Sequence, residues 1–159
     1  MVKIPPYLKK GDLIGITCSS SKMDLVAAEY ARGVISSWGY RVHLGITAGT
    51  SFHNFSAPDE LRLEELQDML DDPDIKAIVF GRGGYGMVCI LDKLDFTRFR
   101  KQPKWLCGYS DITALHSHVH RQFGIATLHS LMCSGITPNT IDDEYVRSLA
   151  SALKGKIGR

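Results

Sequence analysis

Residues 75–86, IKAIVFGRGGYG, are the stretch that decides the fold. The apolar run Ile75–Phe80 predicts a strand. The chain then enters a segment in which four of six residues, 81–86, are glycine. Glycines allow a tight turn, and they let main-chain N–H groups face a ligand without Cβ atoms in the way. We therefore expect a strand that ends in a turn suited to a phosphate, a carboxylate or an oxyanion.

Strand and helix patterns alternate on both sides of this stretch. The predicted strands are 12–18, 40–44, 75–80, 105–108 and 125–128. The predicted helices are 24–38, 57–70 after an N-cap at Ser56, 86–94, 97–101, 111–123 and 142–153. The alternation predicts an α/β protein with a Rossmann/flavodoxin-like parallel sheet of about five strands and helices on both faces. Ligands of such sheets bind at the carboxyl ends of strands, which makes the loops after the third and fourth strands the candidate site.

Composition and charge argue against several classes of protein. The chain has 159 residues, 44% of them hydrophobic, which is the size of one ordinary domain with a core. A net charge of +2 is too small to indicate nucleic-acid binding, and the cluster Arg98, Arg100, Lys101 and Lys104 is typical of a solvated surface. No run approaches ~20 apolar residues and no signal-peptide core is present, so we expect a cytoplasmic protein that spans no membrane. None of the four cysteines lies in a C-x-x-C pair, so no zinc ribbon is indicated.

Residues 81–86, which we call the glycine loop, also match a nucleotide-binding pattern. Gly81, Gly83 and Gly86 fit G-x-G-x-x-G, and Asp111 lies at roughly the distance of a ribose-binding acid. That pattern belongs in the first strand–helix turn of its fold, whereas two predicted strands precede it here. A nucleotide- or anion-binding Rossmann-like module that uses only this loop is therefore the alternative function.

A serine lies at the next strand–helix turn. Residues 105–116, WLCGYSDITALH, predict a strand, a turn at Ser110 and a helix from about Asp111. This is the layout of a nucleophile elbow, in which a hydroxyl projects from a sharp turn beside the free N–H groups of a helix N-terminus. The Asp111 N–H is then placed to stabilise a tetrahedral oxyanion. Serine is also a favoured helix N-cap, so the pattern alone leaves nucleophile and cap undecided.

These segments together resemble one family. GRGGYG, followed about two dozen residues later by GYSDITALH, looks like the paired signature of the LD-carboxypeptidase family of serine peptidases. LKKGDLIGIT is similar to the first strand of that family, and SAPDELRLEELQDMLDDPDIKAIVFGRGGYG resembles the helix and strand that lead into its glycine loop. The resemblance runs from Leu8 to about Met132.

The resemblance implies a function for each part of the site. Ser110 corresponds to the nucleophile, and the backbone N–H groups of Asp111 and Gly84 correspond to the oxyanion hole. The Glu and His of the Ser-Glu-His triad come from a C-terminal domain, so residues 1–159 correspond to the N-terminal nucleophile domain. The family's usual substrate is a cytoplasmic muropeptide that loses a terminal D-alanine, whereas a sister branch cleaves a microcin-type peptide nucleotide. The family uses no metal or organic cofactor and often forms homodimers.

Substrate contacts are expected at Gly83, Tyr85 and His129. His129 follows the fifth predicted strand and is the best candidate within the chain for a base or a substrate contact. This chain departs from the family pattern at residues 87–89, MVC, and 129–131, HSL, where the family commonly has a polar residue with an arginine and His-Gly-Pro. These departures concern the substrate and leave the expected fold unchanged.

The other histidines and the chain end complete the expectations. His116 and His120 lie four residues apart and are typical of a half-exposed polar helix face, without the glutamate of a H-E-x-x-H zinc site. Residues 156–159, KIGR, stand about where a linker to a second domain would begin. We therefore expect a domain that carries the nucleophile without its base and is inactive alone.

Overall fold

The computed structural model describes residues 1–156, so residues 157–159 of the expected linker lie outside the described residues. The strands are Leu13–Thr17 (β1), Arg41–Leu44 (β2), Ile75–Phe80 (β3), Trp105–Gly108 (β4) and Leu128–His129 (β5). The helices are Leu25–Ser37 (α1), Asp59–Asp71 (α2), Met87–Ile90 (α3), Thr97–Lys101 (α4), Ile112–Phe123 (α5) and Glu144–Leu153 (α6), with 3₁₀ turns at Leu91–Lys93 and Cys133–Gly135. Among residues 1–156, no helix is both long enough and apolar enough to cross a membrane.

The strands form one parallel sheet in the order β2-β1-β3-β4-β5. This is the flavodoxin-like order, in which the strand order reverses between β1 and β3. The loops that follow β1 and β3 therefore leave neighbouring strands at the switch point, and the loop after β4 lies beside them. The predicted α/β class, strand number and parallel arrangement are confirmed.

Apolar residues cover both faces of the sheet. Ile14, Ile16 and Val79 pack on one face in a cluster that includes the buried residues of α1 and α6. Ile78 and Phe80 point to the other face, where α2, α3, α4 and α5 contribute the buried side chains. Each fully buried side chain of this size contributes about 1.5–3 kcal/mol relative to an exposed one. The strands thus form a rigid platform for the loops at their carboxyl ends.

The N-terminus of α2 differs from the prediction at Ser56. Pro58 occupies the N-cap position, and no side chain makes a capping hydrogen bond there. The Ser56 hydroxyl is buried and donates instead to the carbonyl oxygen of Cys18, at 2.5 Å. The predicted N-cap is wrong because the hydroxyl bonds to a residue that is distant in sequence, at the end of β1.

Two further boundaries differ from the prediction. The fifth strand lies at residues 128–129 rather than 125–128, because Cys107 and Gly108 of β4 pair with Leu128 and His129. Ile125 forms an isolated parallel bridge with the N-terminal segment instead. The helix predicted over 86–94 is divided into α3 and the 3₁₀ turn that follows it.

Candidate active site

Ser110 lies at a sharp turn between β4 and α5. Its φ of 60° is in the left-handed region, which is unusual for a residue other than glycine and costs about 1–2 kcal/mol. The N-cap position of α5 is Asp111, so Ser110 is not the cap of this helix. The Ser110 side chain is exposed, and among residues 1–156 its hydroxyl makes no hydrogen bond. The chain accepts backbone strain here and leaves the hydroxyl free, as a nucleophile elbow requires.

The segment beneath the turn is held by His116. Its Nε2–H donates to the Gly108 carbonyl oxygen at 2.9 Å, which fixes the end of β4 against α5. His116 is buried, and its Nδ1 has no partner within the described part of the chain. Burial lowers the pKa of His116; the hydrogen bond to Gly108 opposes this shift and the nearby His129 adds to it, so that the net effect favours the neutral ring. The expectation of a half-exposed face is wrong for His116 and holds only for His120, which is exposed.

The glycine loop passes directly against the Ser110 side chain. A Cβ atom built on Gly83 would lie 3.0 Å from the Ser110 Cβ and 3.2 Å from its Oγ. Gly84 has a φ of 147°, and a Cβ there would overlap the Ser21 hydroxyl. Glycine is therefore required at position 84, and at position 83 a side chain would force the loop and Ser110 apart by a few tenths of an ångström. The structure brings the hydroxyl of Ser110 to the loop that sequence analysis singled out.

Two main-chain N–H groups, one directly after the turn and one in the glycine loop, have no acceptor among the described residues. Among the hydrogen bonds of residues 1–156, neither the Asp111 N–H nor the Gly84 N–H donates to a protein atom. Asp111 also stands at the N-terminus of the 12-residue helix α5, where the helix dipole favours negative charge. The site thus offers free donors beside a free hydroxyl, which suits an oxyanion that develops next to Ser110.

The side chain of Asp111 joins the elbow to the end of the glycine loop. Its Oδ2 accepts hydrogen bonds from the Ser20 hydroxyl and from the Met87 N–H, the latter at 3.2 Å. The Ser20 oxygen accepts the Gly86 N–H at 3.1 Å. The first amides of α3 are therefore already paired with protein oxygens, and one of these oxygens is anionic. This occupancy argues against the nucleotide-binding alternative, which needs those amides for a phosphate.

Arg62 is a component of the site that sequence analysis missed. It is fully buried on α2, and its guanidinium donates to the carbonyl oxygens of Ser19, Gly86 (3.0 Å) and Ala57 (3.0 Å) and pairs with Asp59. A buried cation persists only when its donors are satisfied, and here they hold the loop after β1 and the glycine loop together. Helical spacing could have identified Arg62 in the sequence, because residues 62, 66, 69 and 70 lie on one face of α2, and that face is buried.

The other two predicted substrate contacts, Tyr85 and His129, make no hydrogen bond to the Ser110 hydroxyl within residues 1–156. Tyr85 is 73% exposed at the tip of the glycine loop. His129, at the end of β5, is exposed, and its ring meets the ring of Tyr109 edge to face at 6.2 Å. Within residues 1–156, no hydrogen bond joins His129 to Ser110. A 540 Å³ cleft lined by Lys3 and other residues lies at the opposite end of the strands.

Comparison with known proteins shows the family of the chain. Residues 14–130 match the family model of the LD-carboxypeptidase N-terminal domain. The chain is 34% identical over 147 residues to the probable murein peptide carboxypeptidase of Bacillus subtilis. The aligned region covers 92% of this chain and 46% of that protein.

Solved structures agree with this match. The muramoyltetrapeptide carboxypeptidase of Oxalobacter formigenes superposes with a TM-score of 0.78 and 25% identity, over 88% of this chain and 47% of the other. The MccF-like protein of Bacillus anthracis superposes with a TM-score of 0.81 and 26% identity, over 96% of this chain and 47% of the other. The chain thus spans about half the length of the relatives it matches. It belongs to the LD-carboxypeptidase family and corresponds to the N-terminal domain of that family.

Proposed function

We propose that Ser110 is the nucleophile of a serine-type LD-carboxypeptidase that releases terminal D-alanine from cytoplasmic muropeptides during peptidoglycan recycling. One observation carries the proposal: an exposed hydroxyl at a strained turn, with its oxygen directly against Gly83 of the glycine loop. The family membership of residues 14–130 supports the reaction class. The substrate is taken from the murein peptides that relatives are named for.

In the proposed mechanism the Ser110 Oγ attacks the carbonyl carbon of the L,D peptide bond. The bond from Oγ to that carbon forms, the carbonyl oxygen becomes an oxyanion, and the Ser110 proton passes to a base. The N–H groups of Asp111 and Gly84 donate to the oxyanion. Loss of one such donor costs about 3–4 kcal/mol of transition-state stabilisation. Collapse of the intermediate expels D-alanine, whose amine takes the proton, and water then releases the acyl group from Ser110.

We propose that the base and its orienting acid are a His and a Glu of a C-terminal domain. The described chain supports this because His116 is buried and donates to Gly108, while His129 lies against Tyr109. Neither ring makes a hydrogen bond to the Ser110 hydroxyl in the described residues. The isolated chain is then inactive, since a serine without its base retains only weak residual catalysis. Every catalytic group in this mechanism belongs to the protein, so the proposed reaction uses no metal or organic cofactor.

The substrate surface is formed by the glycine loop and the end of β5. Gly83, Tyr85 and His129 are its proposed contacts with the muropeptide. Of the residues 87–89 that depart from the family pattern, Met87 is buried in the core, whereas Val88 is half exposed and Cys89 is partly exposed, so only the last two are accessible to a substrate. We expect a muropeptide rather than a microcin-type peptide nucleotide, because two relatives that are 34% and 35% identical to this chain are named for murein peptides.

Turnover of a muramoyl tetrapeptide tests the proposal. The full-length protein, its Ser110→Ala variant and the isolated 159-residue chain are assayed for D-alanine release, with Ser117→Ala as an exposed control on α5. We expect activity in the full-length protein and in Ser117→Ala only. Activity in Ser110→Ala would disprove the nucleophile, and robust activity in the isolated chain would place the base within it. Tight binding of NAD or ATP to the isolated chain would favour the nucleotide-binding alternative.

A further inference from the structure

The carboxylate of Asp111 lies where three segments of the site meet. Its Oδ2 accepts from the Ser20 hydroxyl of the loop after β1 and from the Met87 N–H, the first residue of α3. Ser20 in turn accepts the Gly86 N–H. Its Oδ1 is buried without a partner in the described residues, and it lies 3.4 Å from the point where a Cβ of Gly83 would stand. One carboxylate thus links the turn at Ser110, the loop after β1 and the end of the glycine loop.

This arrangement differs from ordinary helix capping. An aspartate at the N-cap position usually accepts an N–H of its own helix. Asp111 makes no such bond to α5. Its Oδ2 instead accepts hydrogen bonds from Ser20, in the loop after β1, and from Met87, directly after the glycine loop. Partial burial of a carboxylate with one unpaired oxygen is costly. The side chain therefore has a task other than the stability of α5.

The glycine loop needs such a fixed point. Gly83 and Gly84 have no side chains that could restrain them, and among residues 1–156 the Gly83 carbonyl accepts a single hydrogen bond, from the Ser21 N–H at 3.3 Å. The far side of Gly84 is restrained by the N–H groups of residues 86 and 87, which donate to Ser20 and Asp111, and by the Arg62 guanidinium, which donates to the Gly86 carbonyl oxygen. A shift of residues 86 and 87 moves the Gly84 N–H relative to Ser110.

We infer that the Asp111 carboxylate is a positioning residue that sets the distance between the two donors of the oxyanion hole. Its own N–H is one donor, and its side chain fixes the segment that carries the other donor, Gly84. The inference rests on the proposed function, because the distance between the two donors matters only if an oxyanion forms there. Ser20 acts with Asp111, because its hydroxyl donates to the Asp111 carboxylate and its oxygen accepts the Gly86 N–H.

Side-chain variants that leave every main-chain N–H in place test this inference. In the full-length protein, kcat and KM for the muramoyl tetrapeptide are measured for Asp111→Ala, Asp111→Asn, Ser20→Ala, Ser110→Ala and the control Ser117→Ala. Circular dichroism gives the folded fraction of each variant. Removal of an oxyanion donor lowers kcat by about 10²–10³-fold, so displacement of one donor in Asp111→Ala should lower kcat by about 10- to 100-fold. KM should stay within about threefold, because ground-state binding does not use the oxyanion hole.

The conservative variant separates positioning from simple structural support. Asparagine keeps one acceptor oxygen for Ser20 and Met87, so Asp111→Asn should recover at least about tenfold of the kcat lost in Asp111→Ala. Ser20→Ala should lower kcat, again without a change in KM. A loss of activity that only follows the folded fraction, or no recovery with asparagine, would overturn the inference.

The outcomes distinguish the inference from the proposed function. If Ser110→Ala is inactive while folded Asp111→Ala keeps its full kcat, the positioning role is wrong and the nucleophile stands. If Ser110→Ala is active, the proposed function itself fails. If Asp111→Ala does not fold, Ser20→Ala decides: a lower kcat at unchanged KM supports the inference, and an unchanged kcat contradicts it.

Discussion

Replacement of Gly83 by alanine should impair the reaction far more than it impairs folding. The added Cβ would lie 3.0 Å from the Ser110 Cβ, 3.2 Å from its Oγ and 3.4 Å from the Asp111 Oδ1. Ordinary contact begins at 3.4 Å, so the loop and the serine must separate by about 0.4 Å. The backbone of Gly83 is not in the left-handed region, so alanine introduces no φ strain there.

The size of the effect follows from that displacement. A misplacement of about 1 Å costs ~10²-fold in rate, so a shift of a few tenths of an ångström should lower kcat by about 5- to 20-fold. The free energy of unfolding should change by less than about 1 kcal/mol, because loss of chain entropy in the unfolded state offsets part of the overlap. Gly33→Ala is the matched control, since a Cβ there meets nothing within 4 Å.

The assay combines tetrapeptide turnover by the full-length protein with urea unfolding of each variant. We expect Gly83→Ala to fold like the wild type and to lose kcat, while Gly33→Ala keeps its activity. Full activity in a folded Gly83→Ala variant would show that the glycine loop does not lie against the serine.

Three further predictions follow from the same contacts. Ser110→Gly should be more stable than Ser110→Ala by about 1 kcal/mol in urea unfolding, because only glycine relaxes at a φ of 60°; equal stability would contradict the strained turn. Since the pKa of His116 is lowered in the folded state, the unfolded chain binds the proton first, and stability should fall as the pH drops below about 6.5. Unfolding at pH 7.5 and 5.5 should show a smaller loss for His116→Gln, and an equal loss would assign the effect to another group. Arg62→Met should cost about 3–5 kcal/mol in urea unfolding because Asp59 and three carbonyl oxygens lose their donor; a change below ~1 kcal/mol would show that the buried guanidinium is dispensable.

Local sequence patterns were sufficient to predict the fold and the two loops at the centre of the candidate site. The apolar run at 75–80, the glycines after it and the turn at Ser110 are each encoded within a few residues. The parallel sheet then places both loops at the same edge, because the carboxyl ends of parallel strands point the same way. Pattern alone did not decide whether Ser110 is a cap, since that depends on its φ.

The errors share a physical cause, which is dependence on distant partners. Ser56 has the local pattern of an N-cap, yet its hydroxyl bonds to Cys18, 38 residues away. The register of β5 is set by Gly108 of β4 rather than by its own apolar run. Arg62 is buried because carbonyl oxygens from two other loops converge on it. None of these partners can be read from a window of neighbouring residues.

The central claim is that the Ser110 oxygen is the group that attacks the substrate. A serine-reactive phosphonate added to the full-length protein, followed by mass spectrometry of the peptide that contains residues 105–116, tests it most directly. We expect a single phosphonyl group on Ser110, parallel loss of tetrapeptide cleavage, and no label on a folded Ser110→Ala variant. Inactivation with the label on another residue, or an unlabelled Ser110 in an inactivated protein, would contradict it.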